Sequence, residues 1–587
     1  MVSLYRKTDM KTTHDLTTII DSDSLAREVS NQWDAYNSKR SSWLEEKLEL
    51  RNYLYATDTS TTSNRKNPWS NSTTRPKLAQ IKDNLHANYY STLFPQDDWL
   101  KWEAKSKEAS ETSFIETVTS YMSTKLDQSG FEIVSSKLLD DFITYGNCFA
   151  TIQFERGYTT LEGTEEDVTT YVGPKVVRIS PNDIVFDPTA VDFQSTNKII
   201  RSVLSLGQIA KIVKDNPDKP EYSRILGEMR NMRGLVSSTS DTYKGEGYVA
   251  DGFSDIRQYY QSGSVEVLTF YGTVYDIAKD ELHENRVITV VDRAYVLINE
   301  GQPSWLGHDG IYHAGWRERI DNLYAMGPLD NLVGMQYRID HLENLKADIF
   351  DQIASPKWKV KGEVEEWEDR PHERIYIGDD GDVSALVPDA TALNADFQIS
   401  SLESAMEEMA GAPKEALGIR SAGEKTAFEV QQLGNASSRI FHHKTAHYER
   451  VFVEPLMNGF LETGRRNMDR SEVIVDTTSG GTLYSEVSKK DLVGDGRVKP
   501  VGARHFAERA LRLANLNQLW QIKQGDATVG AHLSGKKMAQ ILSDELGEKE
   551  LFGENITVAE QLETQSAQTN AQVEGEEEQV LLEQNEL

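Results

Sequence analysis

The stretch from Gln398 to Arg466 restricts what this chain can fold into more than any other. Ile399, Leu402, Ala405, Met406 and Met409 recur at helical spacing, and Gly411-Ala-Pro413 ends that helix, because glycine is an ordinary helix stop and proline cannot continue one. An irregular link, Lys414 to Glu424, follows and is closed by Gly423. Beyond it, Thr426 to Met468 contains a single proline, Pro455, and carries Phe428, Leu433, Ile440, Phe441, Tyr448, Val451, Phe452, Leu456 and Phe460. That pattern predicts a second, much longer helix. A connection of about a dozen residues is longer than most helix–helix joints, which marks the loop as functional.

The chain before this stretch alternates in character. Residues 1–23 are polar and are expected to form a flexible arm. Helical patterns run from Ser24 to Tyr55, Arg75 to Leu93, Phe114 to Leu126 and Ile133 to Thr144, with a Ser/Thr/Asn-rich loop at Thr57–Thr74. Cys148–Phe154, Val172–Ile179 and Ile184–Asp187 read as strands, the last two joined by a proline-bearing turn. A helical and irregular insertion is expected over Leu206–Asp255. Strands return at Val265–Tyr275, Arg286–Val291 and Ala294–Asn299, followed by a glycine-rich loop with aromatics, Trp305–Trp316. Gly327-Pro328 predicts the start of a strong helix that runs to Ser355-Pro356. A compact β segment then uses Lys357–Val360, Arg374–Gly378 and Val383–Val387. Residues 470–504 are strand-like, and 505–552 are helical again.

Composition excludes several functions. At 587 residues the chain is long enough for about three or four modules. Its net charge of −30 does not suit non-specific coating of nucleic acid or of an anionic membrane. The single cysteine, Cys148, rules out an internal disulfide and a cysteine-built zinc site, and its apolar neighbours predict a buried, inert thiol. The amino terminus lacks a signal-peptide core, and no apolar run approaches the ~20 residues of a membrane span. A reducing cytosol, or a particle assembled in one, is the expected setting, with no membrane partner.

No catalytic motif is complete. Gly530–Lys537 lacks the hydroxyl that must follow the lysine of a phosphate-binding loop, and its flanks are helical. His442, His443 and His447 lie a turn apart, yet no glutamate follows the first histidine as in the zinc-protease motif, so they read as exposed helix residues. Acidic pairs such as Asp379-Asp380 and Glu365-Glu366, with Asp382, are expected by chance among 93 acidic residues. The chain is not expected to be an enzyme, and no cofactor or metal is expected.

Gly411-Ala-Pro413, a loop containing Gly418, Glu424-Lys-Thr-Ala-Phe-Glu429, Glu449-Arg450 and Pro455-Leu456 together resemble the centre of a bacteriophage portal protein, the head-to-tail connector, most like those of short-tailed phages. The identifiable residues lie within 305–466, whereas the order of elements extends the likeness over most of the chain. The resemblance implies an α+β, portal-like subunit of a ring. It would have a flexible arm (1–23), a mixed wing (24–326), a stem helix (327–354), a small β-rich clip (355–397) and a second stem helix (398–411). A tunnel loop (412–424), the long helix with the wing return (425–504) and a helical crown (505–552) would follow; the acidic tail (553–587) lies outside the resemblance, and its uniform charge and low hydrophobicity predict disorder.

The same resemblance implies a channel at one capsid vertex for DNA packaging and ejection. The implied partners are further copies of the chain (a dodecamer), double-stranded DNA in the channel, the large terminase, the major capsid or scaffolding protein, and tail adaptor proteins. The implied location is the virion, after assembly in the host cytoplasm. Lys414, Arg420 and Lys425 would face DNA from the tunnel loop, or else pair with Glu415, Glu424 and neighbouring subunits. Lys357, Trp358, Lys359, Lys361, Trp367 and Arg374 would form the docking residues of the clip, where the tryptophans either anchor an interface or pack within the β unit. The other readings are a different virion protein, such as a tail adaptor or capsid-associated scaffold, and an acidic hydrolase or ATPase.

Overall fold

The computed structural model describes residues 16–55, 71, 73–94, 99–106, 112–160, 167–215, 220–232, 264–301, 308–364, 375–386, 394–411, 440–468, 471–476, 483–502, 516 and 565. The chain divides into two compact units, residues 1–91 with 100–500 and residues 92–99 with 501–587. In the second, the rings of Phe94 and Trp99 meet edge to face at 5.1 Å, and the Val501 N–H donates to the Trp99 carbonyl at 2.8 Å. Everything below concerns the first unit.

Helices and strands are both abundant, so the expected α+β class is borne out. The unit begins with β1 (Leu16–Thr18), α1 (Ser24–Lys39) and α2 (Ser41–Tyr55). The helical pattern over 24–55 is therefore two helices, broken at Arg40. The reason is a buried guanidinium: Arg40 donates to the carbonyls of Pro181, Asn182 and Ile184 at 2.7–2.8 Å, satisfying the turn at 181–184. Next come α3 (Lys77–Leu93), β2 (Leu100–Ala104), α4 (Thr112–Gln128), α5 (Phe131–Thr144), β3 (Asn147–Thr160), β4 (Asp167–Ile179) and β5 (Ile184–Phe186). They are followed by β6 (Lys198–Ser205), α6 (Leu206–Asp215), α7 (Pro220–Met232), β7 (Ser264–Asp276), β8 (Glu281–Val291), β9 (Tyr295–Gly301) and β10 (Ile311–Gly315).

The largest sheet runs β5-β6-β7-β8-β9 with antiparallel neighbours. Side chains alternate across it. Leu268, Phe270, Ile288 and Val290 pack against Leu25, Val29, Trp33 and Tyr36 of α1. On the other face Val265, Val267 and Val291 pack against Ile209 of α6 and Ile225 of α7. Thus part of the expected insertion at 206–255 is a lid on this sheet. The flexible arm expected over 1–23 is corrected at its end. Leu16–Thr18 pairs in parallel with Val274–Asp276, on the edge that β6 leaves at Tyr271, and Leu16 and Ile20 are buried.

A second sheet, β10-β3-β4, takes part of what reads from sequence as a glycine-rich loop. Ile311–Gly315 pairs with Thr151–Asn147, because Ile311, Tyr312 and Ala314 have a buried surface to fill. Phe149, Phe186 and Phe193 surround the His313 ring, and Trp43, Tyr145 and Tyr324 complete that core. Its Nε2 meets Asn147 Oδ1 at 3.1 Å, and burial lowers its pKa to about 3, so the ring is neutral. The turn into β3 needs Gly146. Its φ is +71°, and a Cβ there would strike the backbone of Met326 and Gly327.

The strong helix expected from Gly327-Pro328 begins later. A 3-10 turn, Asp330–Leu332, leads into α8 (Val333–Ala354). The delay follows from Asp330, which accepts the Gly327 N–H at 2.8 Å and pairs with buried Lys47. The chain continues with β11 (Lys357–Lys361), β12 (Asp382–Leu386), α9 (Asp396–Ala410) and the helix α10, described over 440–467. Pro455 has no N–H to give, and the helix absorbs the defect in a π turn, Glu449–Val453, just ahead of it. Phe452, Val453, Leu456, Met457 and Phe460 of α10 are buried, the helix lying on the β3–β4 sheet. The described residues close with β13 (Glu472–Asp476), β14 (Leu483–Val487) and β15 (Gly496–Pro500). β13 and β14 pair with each other, and β15 pairs with β2.

Candidate docking surface

The two helices on either side of the β segment are unequal in what they bury. On α8 the buried positions include Gln336, Asp340 and Asn344, one turn apart, whereas Leu345 and Phe350 are exposed. α8 thus buries a polar stripe beside the apolar Ile339 and Leu342, and leaves other apolar side chains exposed. The acceptors on that stripe take the backbone N–H groups of Thr73, Arg75 and Leu78, on Asn344, Asp340 and Gln336 respectively. On α9, Ile399 and Met406 are buried, and Phe397 and Met409 are exposed.

The β segment between them is a two-stranded ribbon. Lys357–Lys361 pairs antiparallel with Leu386–Asp382. Strand alternation puts Lys357, Lys359 and Lys361 on one face with Leu386, Ser384 and Asp382 opposite them; Trp358 and Val360 share the other face with Ala385 and Val383. Every residue of β11 is exposed. Gly362 turns the chain out of β11 with φ +81°, where a Cβ would strike the Asp380 carbonyl. Val364 bridges Ile377, and Gly378 N–H reaches the Glu363 carbonyl at 3.1 Å. Arg374–Gly378 was expected as a strand; of it, residues 375–378 are described, and Ile377 makes an isolated bridge only.

Exposed apolar side chains concentrate here. Among the described residues, ten of the nineteen exposed large apolar side chains fall between 345 and 440, including Trp358, Val360 and Leu386 on the ribbon and Tyr376 and Ile377 beside it. A two-stranded ribbon by itself is marginally stable in water, and this concentration of exposed apolar side chains makes it a candidate interaction surface.

The structure brings Lys357, Trp358, Lys359 and Lys361 together on one strand. Trp367 and Arg374, and Lys414, Arg420 and Lys425 of the proposed tunnel loop, lie outside the described residues, as do Glu365, Glu366 and Gly530–Lys537. His442 and His443 are exposed; His447 is half-buried, 3.7 Å from Glu318. Among the described residues no three metal-ligating side chains gather, and no helix is long and apolar enough to cross a membrane. Cys148 is fully buried, and desolvation raises its pKa well above the usual thiol value, so it is no nucleophile. The segment 71–78, which holds α8, carries no expectation from sequence beyond a polar loop and the start of a helix. Its only signal there is the four-residue recurrence of Gln336, Asp340, Asn344 and Asp348.

Residues 26–161 match the family model of the bacteriophage head to tail connecting protein. The match runs from α1 into the far end of β3 and lies wholly upstream of the residues, 305–466, that carry the resemblance in sequence. The likeness to a phage portal or connector protein is therefore borne out by a separate stretch of chain. None of the curated proteins matches the chain.

Proposed function

We propose that the protein is a subunit of the ring-shaped portal of a tailed phage, set between head and tail at one capsid vertex. The observation that carries this reading, beyond the family match, is the exposed apolar ribbon between α8 and α9. Neighbouring copies in a closed ring would cover it. Double-stranded DNA would pass through the ring during packaging and ejection, the large terminase would dock first, and tail adaptors would follow. The rim would seat in the major capsid or scaffolding protein, with twelve copies as the proposed number and the virion as the location. The role is passive and needs no catalysis. A net charge of −30 per chain suits a channel wall, since an acidic lining repels phosphate and lets DNA slide. Electron microscopy of the purified full chain, across a range of salt concentrations, is the test. Rings with a central hole are expected, and a monodisperse monomer under every condition would overturn the reading.

A further inference from the structure

A cleft of about 230 Å³ opens between α2, α5 and β4. Every side chain that lines it can give or take a hydrogen bond. α5 supplies one stripe, Lys137, Asp140, Asp141 and Thr144, because residues three, four and seven apart share a helix face. α2 adds Arg51, and β4 adds Arg178. Three cations thus face two carboxylates, in a chain whose net charge is −30.

The acceptors of this wall are largely spent, and its donors are not. Both oxygens of Asp141 are taken by Arg178, Nε to Oδ2 at 2.5 Å and Nη2 to Oδ1 at 2.7 Å. Asp140 Oδ1 is held at 2.9 Å by Lys82, a cation from outside the lining. The Tyr145 hydroxyl accepts from Arg51 at 2.9 Å and from Asn182 at 3.3 Å. By contrast, Arg178 Nη1 and the Thr144 hydroxyl bond no described residue, and Lys137, which is exposed, makes no hydrogen bond or ion pair among the described residues. Asp141 is itself 2% exposed, so the guanidinium that it fixes is set in place before any ligand arrives.

We propose that this cleft binds a small phosphate-bearing anion, with Lys137 and the unspent edge of Arg178 as its donors and Arg51 adding charge. Donors stand on two separate elements, α5 and β4, which suits a tetrahedral oxyanion better than a planar carboxylate met by one fork. The volume lies below that of most sites for drug-sized ligands and fits a phosphate or a small phosphate ester. The cleft is built from a single chain, so the proposal goes beyond the portal reading and does not rest on it.

Isothermal titration of the full chain with inorganic phosphate, against sodium chloride at equal ionic strength, tests it. Saturable binding of phosphate alone is expected. Lys137→Gln, at an exposed position that leaves the fold intact, is expected to weaken it roughly tenfold. Lys175→Gln removes the same charge from β4 at a residue that pairs with Glu155 and does not line the cleft, and is expected to leave the affinity unchanged. Phosphate heats that match those of chloride would overturn the proposal, as would equal weakening by the two variants, which would reduce the effect to net charge. A duplex oligonucleotide separates the second source of the same chemistry. Duplex binding that Lys137→Gln weakens, with no binding of free phosphate, would make the cleft a nucleic-acid contact and overturn the small-anion site.

Discussion

Asp340 accepts the Arg75 N–H through Oδ1 at 3.0 Å, and its buried Oδ2 meets no partner. Glu343 Oε2, one turn along α8, is also buried and without a partner. Gln336 Nε2 adds a second donor to Asp340 Oδ1 at 2.8 Å, yet burial outweighs both bonds and raises the Asp340 pKa to about 6. The carboxyl is thus held more tightly by its proton in the folded chain than in the unfolded one, whose pKa stays near the ordinary 3.8. The protonated group favours the fold below about pH 4, and that contribution is lost as pH rises through 6.

Asp340→Asn keeps the acceptor and removes the charge. At pH 7 it is expected to raise stability by on the order of 1 kcal/mol. The gain should vanish towards pH 4, where the wild-type side chain is already neutral. Thermal unfolding of both proteins between pH 4 and pH 8 checks this; a variant less stable than wild type at pH 7 would show that the carboxylate is needed.

The ion pair of Asp141 and Arg178 behaves differently, because its carboxylate has a partner. Arg178 donates twice, at 2.5 and 2.7 Å, to a side chain that is 2% exposed. Desolvation still lifts Asp141 to about 6, against the pull of the guanidinium. Removing the cation alone leaves a buried, unpaired charge. Arg178→Met is expected to cost ~3–5 kcal/mol at pH 8 and less at pH 5, where the carboxyl takes up a proton. Adding Asp141→Asn should recover most of the loss. Urea midpoints of the two variants at both pH values measure it, and a double variant no better than the single one would place the cost in lost packing instead.

Two helix glycines separate backbone preference from space. A Cβ at Gly334, near the start of α8, would meet nothing within 4 Å. Gly334→Ala is therefore expected to stabilise by ~0.5–1 kcal/mol through helix propensity. Gly459 of α10 lies against the Tyr312 hydroxyl, and a Cβ would also come within 2.9 Å of Ile152 Cδ1. Gly459→Ala is expected to cost ~1–3 kcal/mol by overpacking. Chemical denaturation of the two variants should move in opposite directions; the same sign for both would refute the packing account.

How far the sequence could be read follows from where each element finds its partners. The periodic helices and the strands β3, β4, β7, β8 and β9 carry their own patterns, because one face of each is an apolar core. β2 does not, and although β15 lies in the stretch 470–504 that reads as strand-like, no local pattern announces that Val498 pairs with the distant Trp102. β6 was passed over although Ile199 is fully buried, since Lys198 looks like a surface residue until it is seen buried against Asp309. α8 is legible as a helix from Leu332, Ile339 and Leu342, which are buried, but apolar spacing does not show that Gln336, Asp340 and Asn344 are buried beside them or that Leu345 is exposed. Lys357–Lys361, the proposed docking residues, are legible as a strand between two helices; the hydrogen bonds that hold α8 are not, because its acceptors serve backbone groups that carry no residue code.

The two faces of β11 give the last prediction. Lys357, Lys359 and Lys361 alternate with Trp358 and Val360, so ionic and apolar roles can be removed one at a time. Trp358→Ser with Val360→Ser removes the exposed apolar face and, under the ring proposal, is expected to leave unassembled subunits while each chain still folds, since surface changes cost under ~0.5 kcal/mol. Replacing Lys357, Lys359 and Lys361 with serine is expected to leave rings intact. It should weaken contact with an anionic partner, and if that partner is duplex DNA, each lost phosphate contact lowers the salt slope of binding by about 0.9. Light scattering measures assembly, and DNA binding to purified rings from 50 to 200 mM salt measures the slope. Rings that form from the Trp358/Val360 variant as well as from wild type would remove this face from the subunit contact. Loss of rings in the lysine variant would make those cations part of the contact and not of the channel.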